Sequence, residues 1–354
     1  MTSKKVKMQL IKLNFQQKYG IITKGCNMKK NITSYKEYIS SLTKDELINI
    51  VTLYNLNCSG KTKEDYIQVI LDNQNQIVEH TLDLFQTDEY YNLKYLIKKK
   101  GQVTVQINNL LLAFLKVMVK NKLIVEKDNN TFIMPNDLLE RFAKKLKNKN
   151  VVTKFASNTK EYTLIMGYVS VYGIIDFKRF YQEYSKDYKI SFDKALDRIK
   201  QMTLFYDEFK LMEKEKNYYL VNNLLTDKKI QDQILKNKKE HAIYTNKEIK
   251  DIYNFSYFKK NKAYNKLTKY ITHHYNVEKG NIKVINKYIL APYLDNQQLD
   301  ENGAELVLET QLTKYFEIKN DKQKEKFKNL FKNIAKIYPS WEMKGYTKEE
   351  KNEQ

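Results

Sequence analysis

Residues that interrupt helices are rare in this chain. Only 9 glycines and 3 prolines occur among its 354 residues. Because these two residue types break helical segments most effectively, their scarcity favours long helices joined by short polar turns. The hydrophobic fraction is 42%, as in ordinary globular proteins, and the length allows roughly two or three domains. The sequence therefore predicts a mainly α protein with small β-hairpins (α+β).

The charge is the second strong constraint. The formal net charge is +21, from 63 basic and 42 acidic residues, and a surplus of this size attracts polyanions. Only Arg141, Arg179 and Arg198 are arginines. Arginine is the usual bidentate reader of guanine, whereas lysine suits phosphate contacts, so binding without sequence specificity is favoured. An alternative stays open, because an AT-rich genome produces the same Lys-rich, Arg-poor composition without selection for binding.

Cysteine and histidine usage points to a reduced, metal-free protein. Cys26 and Cys58 form no disulfide framework, which favours a cytoplasmic location. None of the four histidines stands in a metal-binding motif, so neither a metal nor a cofactor is predicted. No apolar run reaches membrane-spanning length, and no secretory signal is recognisable. We expect residues 1–34 to form a poorly ordered tail, of which residues 1–27 resemble upstream sequence before a second start.

A small helical module is predicted over residues 35–75. Thr43 and Glu46 have the spacing of a capping box, which predicts a helix start, and Gly60 falls in a turn before a second helix, Lys63 to Leu71. The stretch resembles a SAP or Rho-N module at Leu47, Tyr54-Asn55-Leu56, Gly60-Lys61, Lys63, Tyr66-Ile67 and Ile70-Leu71. The resemblance implies that Lys61 and Lys63 contact AT-rich DNA or RNA. A plain helical hairpin that packs on its neighbour is the alternative.

A weak internal repeat follows. Residues 132–139 (FIMPNDLL) align with residues 218–225 (YYLVNNLL), and each copy follows a short strand candidate and a polar turn. Strand, polar turn and strand predict a β-hairpin, and a helix lies upstream of each. This order resembles two winged-helix units, at 76–150 and 151–226. The first is shorter, so one of its helices must be short or missing.

The second winged-helix-like unit has a complete set of helices. Tyr162 to Tyr172 is its predicted first helix, Asp176 caps the second and Ser191 the third. In winged-helix proteins the third helix enters the major groove. Its exposed face here is predicted to carry Asp193, Lys194, Asp197, Arg198 and Gln201. The two aspartates would repel phosphates, so protein contact is an alternative role, while Lys214 and Lys216 in the wing can still reach phosphate.

The C-terminal helical region, residues 227–354, contains a lysine stripe. If Phe258 to Ile271 forms one helix, Lys259, Lys262, Lys266 and Lys269 share a face beside Tyr264, Leu267 and Ile271. Lysines beside aromatic rings are typical of surfaces that track phosphates and stack bases. An ordinary amphipathic helix with a solvated lysine face is the alternative.

The segment Trp341-Glu342-Met343-Lys344-Gly345-Tyr346-Thr347 contains the only tryptophan. It resembles a Trp-x-Leu-x-Gly-Tyr/His-Thr/Ser segment near the C-terminus of uncharacterised low-GC Gram-positive bacterial proteins, with Met343 in place of leucine. Those proteins can carry a Cys-rich zinc tail, which this chain lacks, so the resemblance implies no metal. Trp341 and Tyr346 are predicted to anchor the terminus.

No arrangement of nucleophile, base, paired acids or cofactor loop is recognisable, so an enzyme is not expected. The leading hypothesis is a non-catalytic nucleic-acid-binding protein, acting on DNA largely without sequence specificity. The alternative is a protein–protein interaction adaptor whose charge is compositional. The predicted nucleic-acid-binding residues are Lys61, Lys63, Lys194, Arg198, Lys214, Lys216, Lys259, Lys262, Lys266 and Lys269.

Overall fold

The fold is described by a computed structural model that covers residues 33–105, 111–128, 130–148, 150–275, 277 and 282–351. The predicted N-terminal tail lies almost wholly outside the described residues. Residues 106–110 also lie outside them; they belong to the first repeat, in which one helix is predicted to be short or missing.

The described chain is mainly helical and carries two small antiparallel sheets. It forms two compact units. The N-terminal unit comprises residues 33–162 with Leu204–Tyr206, and the C-terminal unit comprises Thr163–Thr203 with residues 207–351. This division is coarser than the five predicted segments, and the SAP/Rho-N-like and winged-helix-like modules stay predictions.

The helices of the N-terminal unit are α1 (Tyr35–Ser40), α2 (Lys44–Leu53), α3 (Lys63–Asp72), α4 (Gln74–Leu84), α5 (Thr87–Lys98), α6 (Leu111–Lys120), α7 (Asn136–Lys145) and the first part of α8 (Val151–Tyr172). Two of them, α2 and α3, begin and end close to the predicted positions, and the others, apart from α8, were not predicted with bounds. The capping box of α2 is confirmed: the Glu46 amide donates to Thr43 Oγ1 (3.3 Å), and the Thr43 amide donates to Glu46 Oε2 (2.9 Å). Both bonds satisfy donors that a helix start leaves unpaired.

Each repeat copy contains a three-stranded sheet. The first consists of β1 (Gln102–Thr104), β2 (Val125–Asp128) and β3 (Thr131–Ile133), in the spatial order β1-β3-β2. The second consists of β4 (Ile174–Asp176), β5 (Phe209–Lys214) and β6 (Asn217–Asn222), in the order β4-β6-β5. The two predicted hairpins are therefore confirmed. The sequence missed β1 and β4, because three-residue strands carry too little pattern to recognise.

A glycine precedes each missed strand. Gly101 and Gly173 adopt φ angles of +79° and +67°, the left-handed conformation that glycine accepts after a helix end. At Gly173 the space is also closed, because a Cβ atom there would lie 2.6 Å from the Trp341 indole. These two residues allow the chain to leave a helix and enter the sheet directly.

The remaining helices lie in the C-terminal unit. They are the second part of α8, α9 (Phe177–Asp187), α10 (Phe192–Phe205, up to Thr203), α11 (Lys228–Lys236), α12 (Asn246–Tyr253), a 3-10 helix (Tyr257–Lys260), α13 (Lys262–Tyr275), α14 (Ile282–Ile285), a π-helical turn (Asn286–Leu290), α15 (Ala291–Gln297), α16 (Glu301–Tyr315), α17 (Asp321–Ile337) and α18 (Lys348–Lys351). The predicted cap of α9 is confirmed, since the Lys178 and Arg179 amides donate to Asp176 Oδ1.

One boundary prediction is wrong. The sequence predicts the first helix of the second repeat from Tyr162, whereas α8 begins at Val151. Its additional turns are held within the N-terminal unit by buried Phe155 and by Asn158, whose Nδ2 donates to the Phe85 carbonyl oxygen (2.7 Å). The polar residues between these positions hide the periodicity, so only the tertiary contacts reveal the longer helix.

The predicted anchoring role of Trp341 is confirmed within the C-terminal unit. The Trp341 side chain is buried, and its Nε1 donates to the Ser170 carbonyl oxygen (2.8 Å). It belongs to an apolar cluster with Ile174, Val221, Leu225 and Ile234. The single tryptophan therefore joins the C-terminal segment to α8, the second sheet and α11.

Candidate nucleic-acid interface

The clearest cationic surface lies on α13. Lys262, Lys266 and Lys269 are all exposed, and the i, i+4, i+7 spacing places them on one side of the helix. We call these three side chains the α13 lysine face. His273, at i+11, continues the same line and is also exposed. No ion pair involves any of the three lysines within the described residues, so their charges are available to a partner.

The sequence around this face has a signal that our sequence analysis missed. No Asp or Glu occurs between Ile252 and Val277, while five lysines do. A second cation approaches from the packed helix α17, whose Lys326 Nζ lies 5.2 Å from the Tyr270 ring centroid. Because the chain between Ile252 and Val277 has no carboxylate to neutralise these lysines, the α13 lysine face presents net positive charge to solvent.

The prediction that Lys259 lies on the same helix is wrong. Lys259 belongs to the 3-10 helix, and Asn261 between it and α13 has extended backbone angles (φ −76°, ψ 136°). The Asn261 side chain accepts a hydrogen bond from the Ala263 amide (2.7 Å), as a helix cap does. The lysine stripe is therefore broken after Lys260, although Lys259 remains exposed beside Tyr257.

The predicted stacking role of the α13 aromatic stripe is also wrong. Tyr264 is only 5% exposed, and its hydroxyl accepts a hydrogen bond from Asn286 Nδ2 (2.7 Å). Burial raises the pKa of this hydroxyl. Leu267 and Ile271 are buried with it. The apolar stripe of α13 is core, so the exposed side of this helix carries cations but no aromatic ring available for stacking.

The turn of the SAP/Rho-N-like segment offers one unpaired cation rather than two. Lys61 is exposed in the loop before α3. Lys63 Nζ donates to the Ser40 carbonyl oxygen at the end of α1 (3.0 Å), so this lysine holds the module together. Glu64 and Asp65 follow in the first turn of α3 and would repel phosphate. This turn therefore presents fewer cations for phosphate contact than the sequence predicts.

The third helix and the wing are also mixed in charge. Lys194 is exposed on α10 between the exposed Asp193 and Asp197, whereas Arg198 is half-buried. In the wing, Lys214 Nζ forms an ion pair with Asp232 Oδ1 (2.9 Å), which raises the pKa of Lys214. Lys216 is exposed in the turn between β5 and β6.

A second exposed cationic helix, α5, was missed by the sequence analysis. Tyr91 and Tyr95 are 61% and 45% exposed on α5, and Lys94, Lys98 and Lys99 are exposed around them. The signal was available, because no Asp or Glu occurs between Tyr90 and Val125.

A further group of basic residues is turned inward. Lys344 is 5% exposed, and burial together with Arg179 lowers its pKa. Burial, followed by the charges of Arg179 and Lys344, lowers the pKa of His241 to about 4. The Ala242 amide donates to the Lys344 carbonyl oxygen (2.9 Å), which joins the two segments. These half-buried and buried groups do not add to the exposed cationic surface.

Other kinds of site have little support in the described part of the chain. No group of three or more His, Cys, Asp or Glu side chains there is arranged to hold a metal ion, and no helix there is long and apolar enough to cross a bilayer. An open depression of about 620 Å³ is lined by lysines and glutamates, among them Lys239, Lys336 and Glu342.

Comparisons of the chain with protein-family models, with curated proteins and with solved structures give no match.

Proposed function

We propose that this protein binds nucleic acid, mainly DNA, without sequence specificity and without catalysing a reaction. The observation that carries the proposal is the α13 lysine face, three exposed and unpaired cations in a segment that lacks acidic residues. Lysines at this spacing contact successive phosphates, which fix the position of a protein on DNA but carry no sequence information. The scarcity of arginine supports binding without base readout.

The two small sheets give secondary support. Strand orders β1-β3-β2 and β4-β6-β5, each preceded by helices, are compatible with winged-helix-like units. The aspartates of α10 argue against insertion of that helix into a groove. We therefore assign phosphate contact to Lys216 in the wing, to Lys61 in the SAP/Rho-N-like turn and, above all, to the α13 lysine face.

The test is fluorescence anisotropy of the full chain with labelled AT-rich and GC-rich duplexes across a range of salt. The triple variant K262Q/K266Q/K269Q should reduce the magnitude of the log–log salt slope by about 2–3, because each phosphate contact contributes about 0.9. The control K228Q/K229Q/K236Q removes the same charge from α11, where all three lysines are exposed, and should leave the slope almost unchanged.

Two results would count against the proposal. Equal losses in the triple variant and its control would mean that binding follows net charge and not the α13 lysine face. Absence of binding by the unaltered protein at low salt would favour the adaptor hypothesis, in which the charge is compositional.

A further inference from the structure

Two tyrosines on α5 are exposed without a packing role that explains them. Tyr91 and Tyr95 are spaced i, i+4, which puts both rings on one side of the helix, about 6 Å apart along its axis. The opposite side holds α5 in the N-terminal unit through Leu93 and Leu96, both fully buried. Aromatic rings left in solvent beside one another are uncommon and mark interaction surfaces.

Lysines surround these rings. At roughly 100° per residue, Lys98 lies on the same side as the tyrosines, about 20° from Tyr91, with Lys94 and Lys99 on either flank. Lys99 Nζ lies 5.7 Å from the Tyr95 ring centroid. Lys94 Nζ lies 5.2 Å from the ring of Tyr90, which is itself 5.2 Å from the Tyr91 ring.

The acidic groups of α5 lie only at its start. Asp88 is exposed in the first turn, and Glu89 accepts a hydrogen bond from the Gln86 amide (3.0 Å). From Tyr90 to Val125 the chain carries no further acid. Positive charge therefore increases along α5 toward Lys98 and Lys99, and a polyanion is the partner whose charge complements this face.

We infer that the exposed face of α5 binds single-stranded nucleic acid, with bases stacked on Tyr91 and Tyr95 and phosphates held by Lys94, Lys98 and Lys99. The inference rests on the proposed function and adds that this second surface binds single strands in preference to duplexes. Base–aromatic stacking tolerates any sequence, because every base has a π face. It therefore suits a chain that is poor in arginine.

The geometry favours a single strand over a duplex. In a duplex each base face is covered by its neighbours, at about 3.4 Å per nucleotide, so an exposed ring cannot reach it. The two tyrosines, about 6 Å apart along the helix, match a strand that has been drawn out and unstacked. The α13 lysine face has no exposed ring and makes no such distinction.

The experiment compares labelled oligo-dT with a duplex of equal length, using the full chain. The double variant Y91A/Y95A should lose about tenfold or more affinity for oligo-dT and keep its affinity for the duplex. The matched variant Y91F/Y95F retains both rings and should bind oligo-dT like the unaltered protein. Thermal unfolding of each variant, followed by circular dichroism, checks that the fold is intact.

The outcomes separate this inference from the proposed function. Unchanged oligo-dT binding in Y91A/Y95A, together with weaker duplex binding in K262Q/K266Q/K269Q, would overturn the inference and leave the proposed function standing. An equal loss on duplex and single strand in Y91A/Y95A would also overturn it. If the unaltered protein binds neither oligonucleotide, both ideas fail, and an acidic protein surface becomes the occupant that fits this face.

Discussion

Helices α5 and α13 both carry exposed lysines, and α5 has acids only in its first turn while α13 has none, yet their tyrosines differ in exposure. On α5, Tyr91 and Tyr95 share the exposed side with the lysines. On α13, Tyr264 and Tyr270 lie on the buried side, and the Tyr270 ring contacts Phe327 of α17 (5.2 Å between centroids). Both helices contain tyrosines and lysines, so the angular position of each ring relative to the core decides whether that ring is buried or exposed.

In the two proposals above, the two surfaces have different roles. The α13 lysine face acts by charge alone, so its contribution should follow ionic strength and ignore strand form. The α5 face adds stacking, which salt weakens much less.

The largest effect is expected when a buried ring beside α13 is removed, compared with an exposed ring on α5. Phe327 is fully buried, with its ring near those of Tyr270, Tyr275 and Phe316. F327A should lower the free energy of unfolding by about 3–5 kcal/mol because it leaves a cavity. Y91A on the exposed face of α5 should change it by no more than about 0.5 kcal/mol. Urea unfolding measures both changes in free energy. Similar losses in F327A and Y91A would contradict the difference in burial between the two rings.

A second test extends the comparison to histidines. His241 is half-buried, with its pKa lowered to about 4 from 6.5, whereas His273 is exposed beside the α13 lysine face. Between pH 6.5 and 4 the unfolded chain binds a proton that the folded His241 does not, so stability rises with pH across this window. The contribution is fully present above pH 6.5 and is lost as the pH falls toward 4.

The variant H241F keeps a ring against Tyr172 and removes this titration. Between pH 7 and pH 4.5 the unaltered protein should lose about 1–2 kcal/mol more unfolding free energy than H241F, after allowance for solvent screening of a half-buried ring. Urea unfolding at both pH values gives the difference. H273Q is the control, and a pH dependence that H241F does not reduce would remove His241 as the acid-sensitive group.

The smallest effect concerns a lysine that is already paired. D232N frees Lys214 of the wing from its ion pair and should increase the magnitude of the duplex salt slope by no more than about one. E213Q makes the same charge change at an exposed carboxylate of β5 whose side chain points to the opposite face of the strand from Lys214, so it serves as the control. Equal slopes in the two variants would show that Lys214 does not reach phosphate even when it is unpaired.

Local signals in the sequence predicted much of the fold correctly. Thr43, Asp176 and the glycines at 101 and 173 mark helix ends, because caps and left-handed turns depend on a few adjacent residues. Helix α17 buries Phe327, Phe331 and Ile334 at i, i+4, i+7, a spacing that can be recognised in the sequence. The break at Asn261 was missed, since an asparagine between lysines reads equally well as helix interior or as cap.

The candidate site was less predictable from the sequence. Lys63 and Lys214 resemble the free lysines in sequence, but Ser40 and Asp232, distant along the chain, occupy their ammonium groups. The exposure of Tyr91 and Tyr95 likewise depends on which side of α5 meets the core. Contacts of this kind join residues far apart in the chain, and helical spacing alone does not specify them.

By itself, then, the sequence determined the helical class, the two hairpins, the positive charge and the scarcity of arginine, because these depend on composition and on neighbours within a few residues. The tertiary structure decided which tyrosines face solvent, which lysines are unpaired and where the predicted lysine stripe is broken. The physical reason is that burial and ion pairing are properties of packed surfaces, and a side chain's availability to a partner is settled only when its helix meets the rest of its unit.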